Sequence, residues 1–168
     1  MVVFLQLFEL DEENNLPTWF SSYLLLNNAL VLWLIAASKS DAYRIYWIVL
    51  AIGFVVLSID EVAGLHETFN TAIDTNWAIF GGLIVLGVGV CMIPFLLSLP
   101  FRLALWFIIS GSIFIGGAIG VELLSEDLNE ETMTYAYASA LEEGMEMLGA
   151  LLFLFVNLKE MKNNGETR

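Results

Sequence analysis

The amino-acid sequence predicts an all-α protein, an integral membrane bundle of five transmembrane helices. Of its 168 residues, 58% are hydrophobic, and the mean hydropathy of +0.77 exceeds what a soluble domain of this size needs to form a core. The apolar residues also fall into long runs, which is typical of membrane spans. The basic residues, in turn, all lie in or beside loops that a five-span topology places on one side of the membrane.

Five apolar runs come close to the roughly 20 residues that a helix needs to cross the hydrocarbon region of a bilayer. They predict spans at about 18–38, 43–67, 77–99, 101–124 and 132–158. The tryptophans lie mostly towards the ends of these spans, where aromatic side chains anchor helices at the membrane interface.

The predicted organisation has three parts. Residues 1–17 form an outer N-terminal segment, residues 18–158 form the five-span membrane domain, and residues 159–168 form a cytoplasmic tail. The first residues alternate between apolar and polar groups, which fits either a short interfacial helix or a frayed terminus.

The basic residues decide the predicted orientation. With five spans, they fall between spans one and two, between spans three and four, and after span five. The six are Lys39, Arg44, Arg102, Lys159, Lys162 and Arg168. Positive charge marks the cytoplasmic side, so we expect the N-terminus outside and the C-terminus in the cytoplasm. The expected location is the cytoplasmic (inner) membrane, as a multi-pass protein in the lipid bilayer, and a homo-oligomer or a larger membrane complex stays open.

The charge of the chain excludes one class of partner. The net charge is −13, from 19 acidic and 6 basic residues, so little could neutralise the phosphates of a nucleic acid. Most of the acidic residues lie in outer loops or in the outer parts of spans, where the sequence has no Lys or Arg. The single cysteine, Cys91, cannot form an internal disulfide.

Span five contains three carboxylates within an apolar helix. At about 100° per residue, Glu142, Glu143 and Glu146 share one face, and the other faces carry Leu, Met and Phe. Because lipid cannot hydrogen-bond a carboxylate, we expect this face to point into the bundle. In span one, we expect Asn27 and Asn28 to make hydrogen bonds between helices.

Span two has a similar acidic face, which contains Asp60 and Glu61. His66, the only histidine of the chain, projects almost opposite this face on a straight helix. We therefore expect His66 to join the acidic residues only if the helix unwinds or bulges near Gly64, which a glycine permits.

Span four supplies Glu122 near its outer end. Small residues at Ser112, Gly116 and Gly120 precede it, and such a spacing allows helices to approach closely in membranes. We expect Gly116 and Gly120 to bring this span against a neighbour. From the depth of each residue, the carboxylates of spans two, four and five are expected to converge in the outer leaflet.

Acid groups that are gathered in a low-dielectric site need compensation, and without basic neighbours it comes from metal cations or protons. The preferred hypothesis is a divalent metal site, catalytic or structural, because helical bundles hold metals with side chains from several helices. Oxygen ligands suit Ca²⁺, Mn²⁺ or Fe, and because one histidine is also present, Zn²⁺ stays a candidate metal. The predicted metal-site residues are Asp60, Glu61, His66, Glu122, Glu142, Glu143 and Glu146.

Two other functions stay open. The same carboxylates could carry protons or cations across the membrane, or the protein could be a non-catalytic subunit whose acidic outer face docks a partner. The sequence has no nucleotide-binding loop, haem motif or nucleophile elbow, and the pattern does not decide whether the protein is an enzyme.

Three stretches together resemble a group of uncharacterised bacterial multi-pass membrane proteins. They are "LSIDEVAGLHE", "GGAIGVELL" and "LEEGMEMLGALLFLF", and they fall within residues 48–155. The resemblance implies that these carboxylates occur together, and it implies no activity. The chain is also superficially similar to the intramembrane metal hydrolases of the alkaline ceramidase and adiponectin-receptor type. Those proteins use several histidines, so their chemistry is not carried over.

Overall fold

The computed structural model describes residues 15–66, 68–69, 76–129 and 131–166, and over these ranges the chain forms helices joined by turns. The long helices are α1 Leu16–Ser38, α2 Arg44–Ala63, α3 Trp77–Ser98, α4 Phe101–Ser125 and α5 Met133–Glu166. The all-α prediction is therefore confirmed. Most of the N-terminal segment predicted over residues 1–17 lies outside the described residues.

Four of these helices, α1 to α4, are long and apolar enough to cross a membrane. Helix α5 is as long, but its first half carries three glutamates and its second half carries Lys159, Glu160 and Lys162. Because of these charges, α5 contains no apolar stretch that is long enough to cross a membrane. The structure thus indicates a membrane protein with four apolar helices, while the fifth span and the orientation stay predictions.

Local sequence signals explain where the helices begin and end. The Asn15 side chain caps α1, because its Oδ1 accepts a hydrogen bond from the Thr18 backbone N–H at 3.1 Å. Pro100 separates α3 from α4, as expected from a residue that cannot continue a helix. Helix α2 stops before the predicted boundary at residue 67, because Gly64 adopts the left-handed conformation.

Helix α1 is the most buried of the apolar helices, and it packs along α2 and α5. Helix α5 also packs along α4. Helix α3 is almost wholly exposed and touches mainly α4. Large apolar side chains such as Leu83, Leu97 and Phe101 are exposed on the outside, as expected for a surface that faces lipid.

A reciprocal pair of serines joins α1 to α2. Ser22 Oγ donates to the Ser58 carbonyl oxygen at 2.8 Å, and Ser58 Oγ donates to the Ser22 carbonyl oxygen at 2.9 Å. Both serines are buried. Because an apolar surrounding offers no other partner, this pair fixes α2 against α1 directly before Asp60.

Aromatic rings fill the space between the helices in the middle of the bundle. Phe54 stacks on Phe153 with ring centroids 5.1 Å apart, and Phe107 lies 4.5 Å from Phe153. The Trp47 ring makes edge contacts with Phe95 and Phe107. These rings connect α2 with α3, α4 and α5, so the helices meet there through large side chains.

The two ends of the bundle differ in charge. Lys39, after α1, pairs with Glu160 of α5 at 3.6 Å and lies 6.0 Å from the centre of the Trp47 ring. We call this the basic end, because α4 also begins here, with Arg102. The opposite end, where α2 and α4 end and α5 begins, is the acidic end.

Helices α4 and α5 approach most closely at two glycines. A Cβ atom on Gly149 would lie 2.6 Å from the Phe114 backbone nitrogen and 2.8 Å from the Ser110 carbonyl oxygen. A Cβ atom on Gly117 would lie 2.7 Å from the Glu142 carbonyl oxygen. Neither position has room for a side chain, so both glycines set the distance between the two helices.

The closest contact of α4 differs from the predicted one. Gly120 faces open space, and a Cβ atom on Gly116 would meet only the Met145 Cε atom, at 3.0 Å. The reason is that residues Gly116–Val121 form a π-helical segment. Its wider turn rotates the helix face and presents Gly117 to α5.

We expect Gly149→Ala to lower the free energy of unfolding by about 1–3 kcal/mol, because the new methyl group must displace α4 backbone atoms. The matched control is Gly144→Ala on the same helix, where nothing lies within 4 Å of the added atom. There the substitution should be neutral, or stabilising by up to about 1 kcal/mol, because alanine favours helix. Thermal unfolding in detergent measures both. Equal midpoints for the two variants would show that Gly149 does not set the packing.

Candidate functional site

A left-handed turn at Gly64 brings His66 back to Asp60. Gly64 has φ 55° and ψ 42°, and its N–H donates to the Asp60 carbonyl oxygen at 2.9 Å. The His66 backbone N–H then donates to Asp60 Oδ1 at 3.1 Å, and the ring Nδ1 lies 3.2 Å from Oδ2. The helix is therefore unwound near Gly64, which is the condition under which the sequence predicted that His66 can join the acidic residues.

The contact with Asp60 orients the His66 ring. Where the carboxylate is ionised it only accepts hydrogen bonds, and a neutral ring then carries its proton on Nδ1 and its lone pair on Nε2. Histidines that bind metals usually have one ring nitrogen held in this way by a carboxylate or a carbonyl oxygen. The geometry therefore suits Nε2 of His66 to bind a cation or to accept a proton.

The start of α3 packs against this pair. The Trp77 ring lies 5.5 Å from the His66 ring and crosses the face of Gly81, where a Cβ atom would lie 2.5 Å from Trp77 Cζ3. Only a glycine leaves room for the indole in this position. Sequence analysis assigned the tryptophans to interfacial anchoring and missed the contact between Trp77 and the histidine.

The Asn76 side chain holds Glu122 while it also caps α3. Its Oδ1 accepts from the Ala78 backbone N–H at 2.8 Å, and its Nδ2 donates to Glu122 Oε1 at 3.2 Å. Sequence analysis missed this residue as well. An asparagine directly before an apolar helix is a recognised capping signal, but its second contact depends on the position of α4.

Glu146 of α5 lies at the acidic end, where the charges of other acidic residues act on it. This partly buried side chain lies near enough to Glu142 and Glu143 of its own helix, and to Asp60 and Glu61 of α2, to be repelled by their charges. Over the described residues, the α2 and α5 backbones do not pack along each other.

The glycine contact between α4 and α5 lies at the same level. A Cβ atom on Gly117 would lie 3.2 Å from Glu146 Cγ as well as 2.7 Å from the Glu142 carbonyl oxygen. Glu122 follows directly after the π-helical segment that contains this glycine. Such segments occur frequently at functional sites, and here the segment joins Glu122 to the helix that carries Glu142 and Glu146.

The predicted metal-site residues fall into three contacts. Among the described residues, no three His, Cys, Asp or Glu side chains lie close enough together to hold one metal ion. Asp60 holds His66, Asn76 holds Glu122, and the remaining glutamates act on Glu146 through their charges. That these groups form one ligand set stays a prediction.

We expect Gly64→Ala to break the contact between His66 and Asp60, since a residue with a Cβ atom resists the left-handed conformation by about 1–2 kcal/mol. As the chain has one histidine, its ring signals in an NMR spectrum are unambiguous. They should move towards those of Asp60→Asn, which removes the ionised acceptor. Gly53→Ala, on the same helix and with nothing near the added atom, should leave the signals in place. A Gly64→Ala spectrum identical to the unmodified protein would contradict the role of the turn.

The sequence model of one family, described as "Domain of unknown function (DUF8692)", matches residues 2–159. No curated protein and no solved structure matches the chain. The match confirms the expectation of an uncharacterised family, and it covers all of the candidate residues above.

Proposed function

The chain belongs to the family DUF8692, and we propose that it binds a divalent metal ion at the acidic end of the bundle, within the depth of the membrane. The observation that carries the proposal is the pair of Asp60 and His66, which gives the single histidine of the sequence a defined orientation. The proposed ligands are His66 through Nε2, with oxygens from Glu61, Glu122, Glu142 and Glu146.

Asp60 supports the site by holding the histidine. Both of its oxygens contact His66, one at the backbone N–H and one at the ring. A carboxylate in this position fixes the tautomer of the ring and raises its basicity as a ligand. Asn76 plays the corresponding part for Glu122, because it holds one oxygen of that carboxylate. Glu143, next to Glu142 on α5, either bridges or acts from outside the direct ligands.

Charge also supports a cation at this end. The sequence has no Lys or Arg between residues 45 and 101 or between residues 103 and 158. Glu146 of α5 nevertheless lies within reach of the charges of Asp60 and Glu61 of α2. Acidic groups that share a low-dielectric region are stable only when a positive charge or a proton compensates them. A divalent ion compensates two of them at once.

Metal binding would draw α2 and α5 together at the acidic end. A Mn²⁺- or Ca²⁺-sized ion holds each ligand oxygen about 2.0–2.6 Å from its centre. It would therefore bring the carboxylates closer together than their mutual repulsion allows without an ion. The proposal therefore includes a movement of the glutamate side chains, with the Gly117 contact as the fixed point between α4 and α5. One nitrogen and several oxygens suit Mn²⁺, Fe²⁺ or Ca²⁺, and Zn²⁺ with lower coordination.

The test uses Mn²⁺ as the probe, since its electron paramagnetic resonance signal separates free from bound ion. We expect the purified full chain to bind Mn²⁺ at a fixed stoichiometry. His66→Ala and Glu146→Gln should each weaken binding by about tenfold or more, and Asp60→Asn by about 10–100-fold. The matched control is Glu126→Gln, an exposed residue after α4, which should bind as the unmodified protein does.

Titrations with Ca²⁺ and Zn²⁺ by calorimetry on the same samples identify the preferred ion. The proposal would be wrong if none of these ions binds to the full chain. It would also be wrong if His66→Ala and Glu146→Gln bound no more weakly than Glu126→Gln, because the ion would then sit elsewhere.

A further inference from the structure

Two asparagines lie inside the bundle with unsatisfied carbonyl oxygens. Asn28 and Asn157 are both 0% exposed, and over the described parts of the chain neither Oδ1 atom has a hydrogen-bond donor. Apolar side chains and lipid cannot supply one, and an unsatisfied polar atom at this depth is costly. Both oxygens are therefore places where the described residues supply no donor.

The orientation of the Asn28 amide is determined by its partners. Its Nδ2 donates to the Leu24 carbonyl oxygen at 3.1 Å and, across the helix interface, to the Ala150 carbonyl oxygen at 2.9 Å. Exchanging oxygen and nitrogen would place Oδ1 against two carbonyl oxygens, so the assignment stands. This confirms the interhelical bond predicted for Asn28, whereas Asn27 donates to Tyr23 of its own helix.

Joining helices explains only part of this arrangement. The bond from Asn28 to Ala150 accounts for the amide nitrogen of Asn28 and leaves its oxygen unexplained. Asn157 donates to the Phe153 carbonyl oxygen of its own helix, at 2.8 Å, so this bond joins no helices. A buried asparagine that does not join two helices needs another hydrogen-bond partner, and the usual partner is a buried water molecule.

The polar groups follow one face of α5 from the acidic end to the basic end. Glu146, Asn157 and Glu160 lie within about 60° of each other on a helix with 3.6 residues per turn. Asn28 reaches the same face from α1, at the level of Ala150. We call Glu146, Asn28, Asn157 and Glu160 the polar line. From Glu146 to Glu160 it covers about 21 Å at 1.5 Å per residue, much of the roughly 30 Å hydrocarbon thickness of a bilayer.

The polar line has a defined end and a defined constriction. At the basic end, Glu160 pairs with Lys39, and both side chains are partly exposed, so the line reaches water there. Between the levels of Asn28 and Asn157 lies Phe153, whose ring contacts Phe54 and Phe107. An apolar ring at a narrow point limits passage to small species.

We propose that Asn28 and Asn157 hold internal water molecules, and that protons cross the bundle along the polar line through this water. The inference takes the acidic site of the proposed function as its outer opening. Water donates one O–H to each asparagine oxygen and keeps its second O–H and its lone pairs for neighbouring waters. Protons hop along such hydrogen-bonded water, whereas larger hydrated ions are stopped at Phe153.

The test measures proton flux through the full chain in liposomes, with a pH-sensitive dye inside and a potassium gradient with valinomycin as the driving force. We expect the protein to raise proton flux above that of protein-free liposomes. Asn28→Leu and Asn157→Leu should each lower the protein-dependent flux by about tenfold, a barrier increase of about 1.4 kcal/mol. The matched control is Asn27→Leu, since Asn27 lines an apolar groove between α1 and α2 on the outside of the bundle. Its flux should equal that of the unmodified protein.

Two results would overturn the inference. One is a flux no higher than that of protein-free liposomes. The other is a full flux through Asn28→Leu or Asn157→Leu protein that is recovered in monodisperse form. The two positions are independent, and the flux of the unmodified protein requires no variant, so poor folding of one variant leaves the question decidable.

Metal binding and proton flux are separable on the same samples. Asn157 lies about 16 Å from Glu146 along α5, so Asn157→Leu should bind Mn²⁺ as the unmodified protein does while its flux falls. Flux without Mn²⁺ binding would refute the proposed metal site and support the polar line. Mn²⁺ binding without flux would support the proposed metal site and refute the polar line as a proton path.

Discussion

Every polar group within the membrane-spanning part of this protein has to find its partner inside the bundle, because lipid offers none. This constraint explains the reciprocal serines of α1 and α2 and the capping asparagine that also holds Glu122. It also bears on Glu146 of α5, which lies within reach of the charges of Asp60 and Glu61 of α2. An acidic face on lipid would cost more than repulsion within the protein.

Two departures from regular α-helix lie beside the candidate site. The left-handed turn at Gly64 ends α2 early and returns His66 to Asp60, and the π-helical segment of α4 turns Gly117 towards Glu142. A straight α2 would point the histidine away from the carboxylates. A regular α4 would present another face to α5. Both departures occur at glycines, where the backbone can adopt them at low cost, and both change which side chains meet at the acidic end.

The predicted metal site and the polar line share Glu146, and the polar line then continues along the same helix. At the acidic end, α5 contributes carboxylates that a cation would compensate. Further along, the same face has amides whose oxygens lack donors, and it then reaches the ion pair of Glu160 and Lys39. The aromatic rings around Phe153 lie between the levels of Asn28 and Asn157. A protein with this division could bind an ion at one end and pass only protons beyond it.

The sequence by itself determined the helices and the identity of the acidic residues. Hydropathy, capping residues and prolines are local properties, so the ends of α1, α3 and α4 were predictable within a few residues. The condition for His66 was also readable, because the chemistry of Gly64 is local. Only the tertiary structure decided which glycines set the distance between α4 and α5, that Asn76 reaches Glu122, and that Asn28 and Asn157 lack donors. These features depend on how one helix is rotated against another, and that rotation results from packing many side chains at once, which no single stretch of sequence encodes.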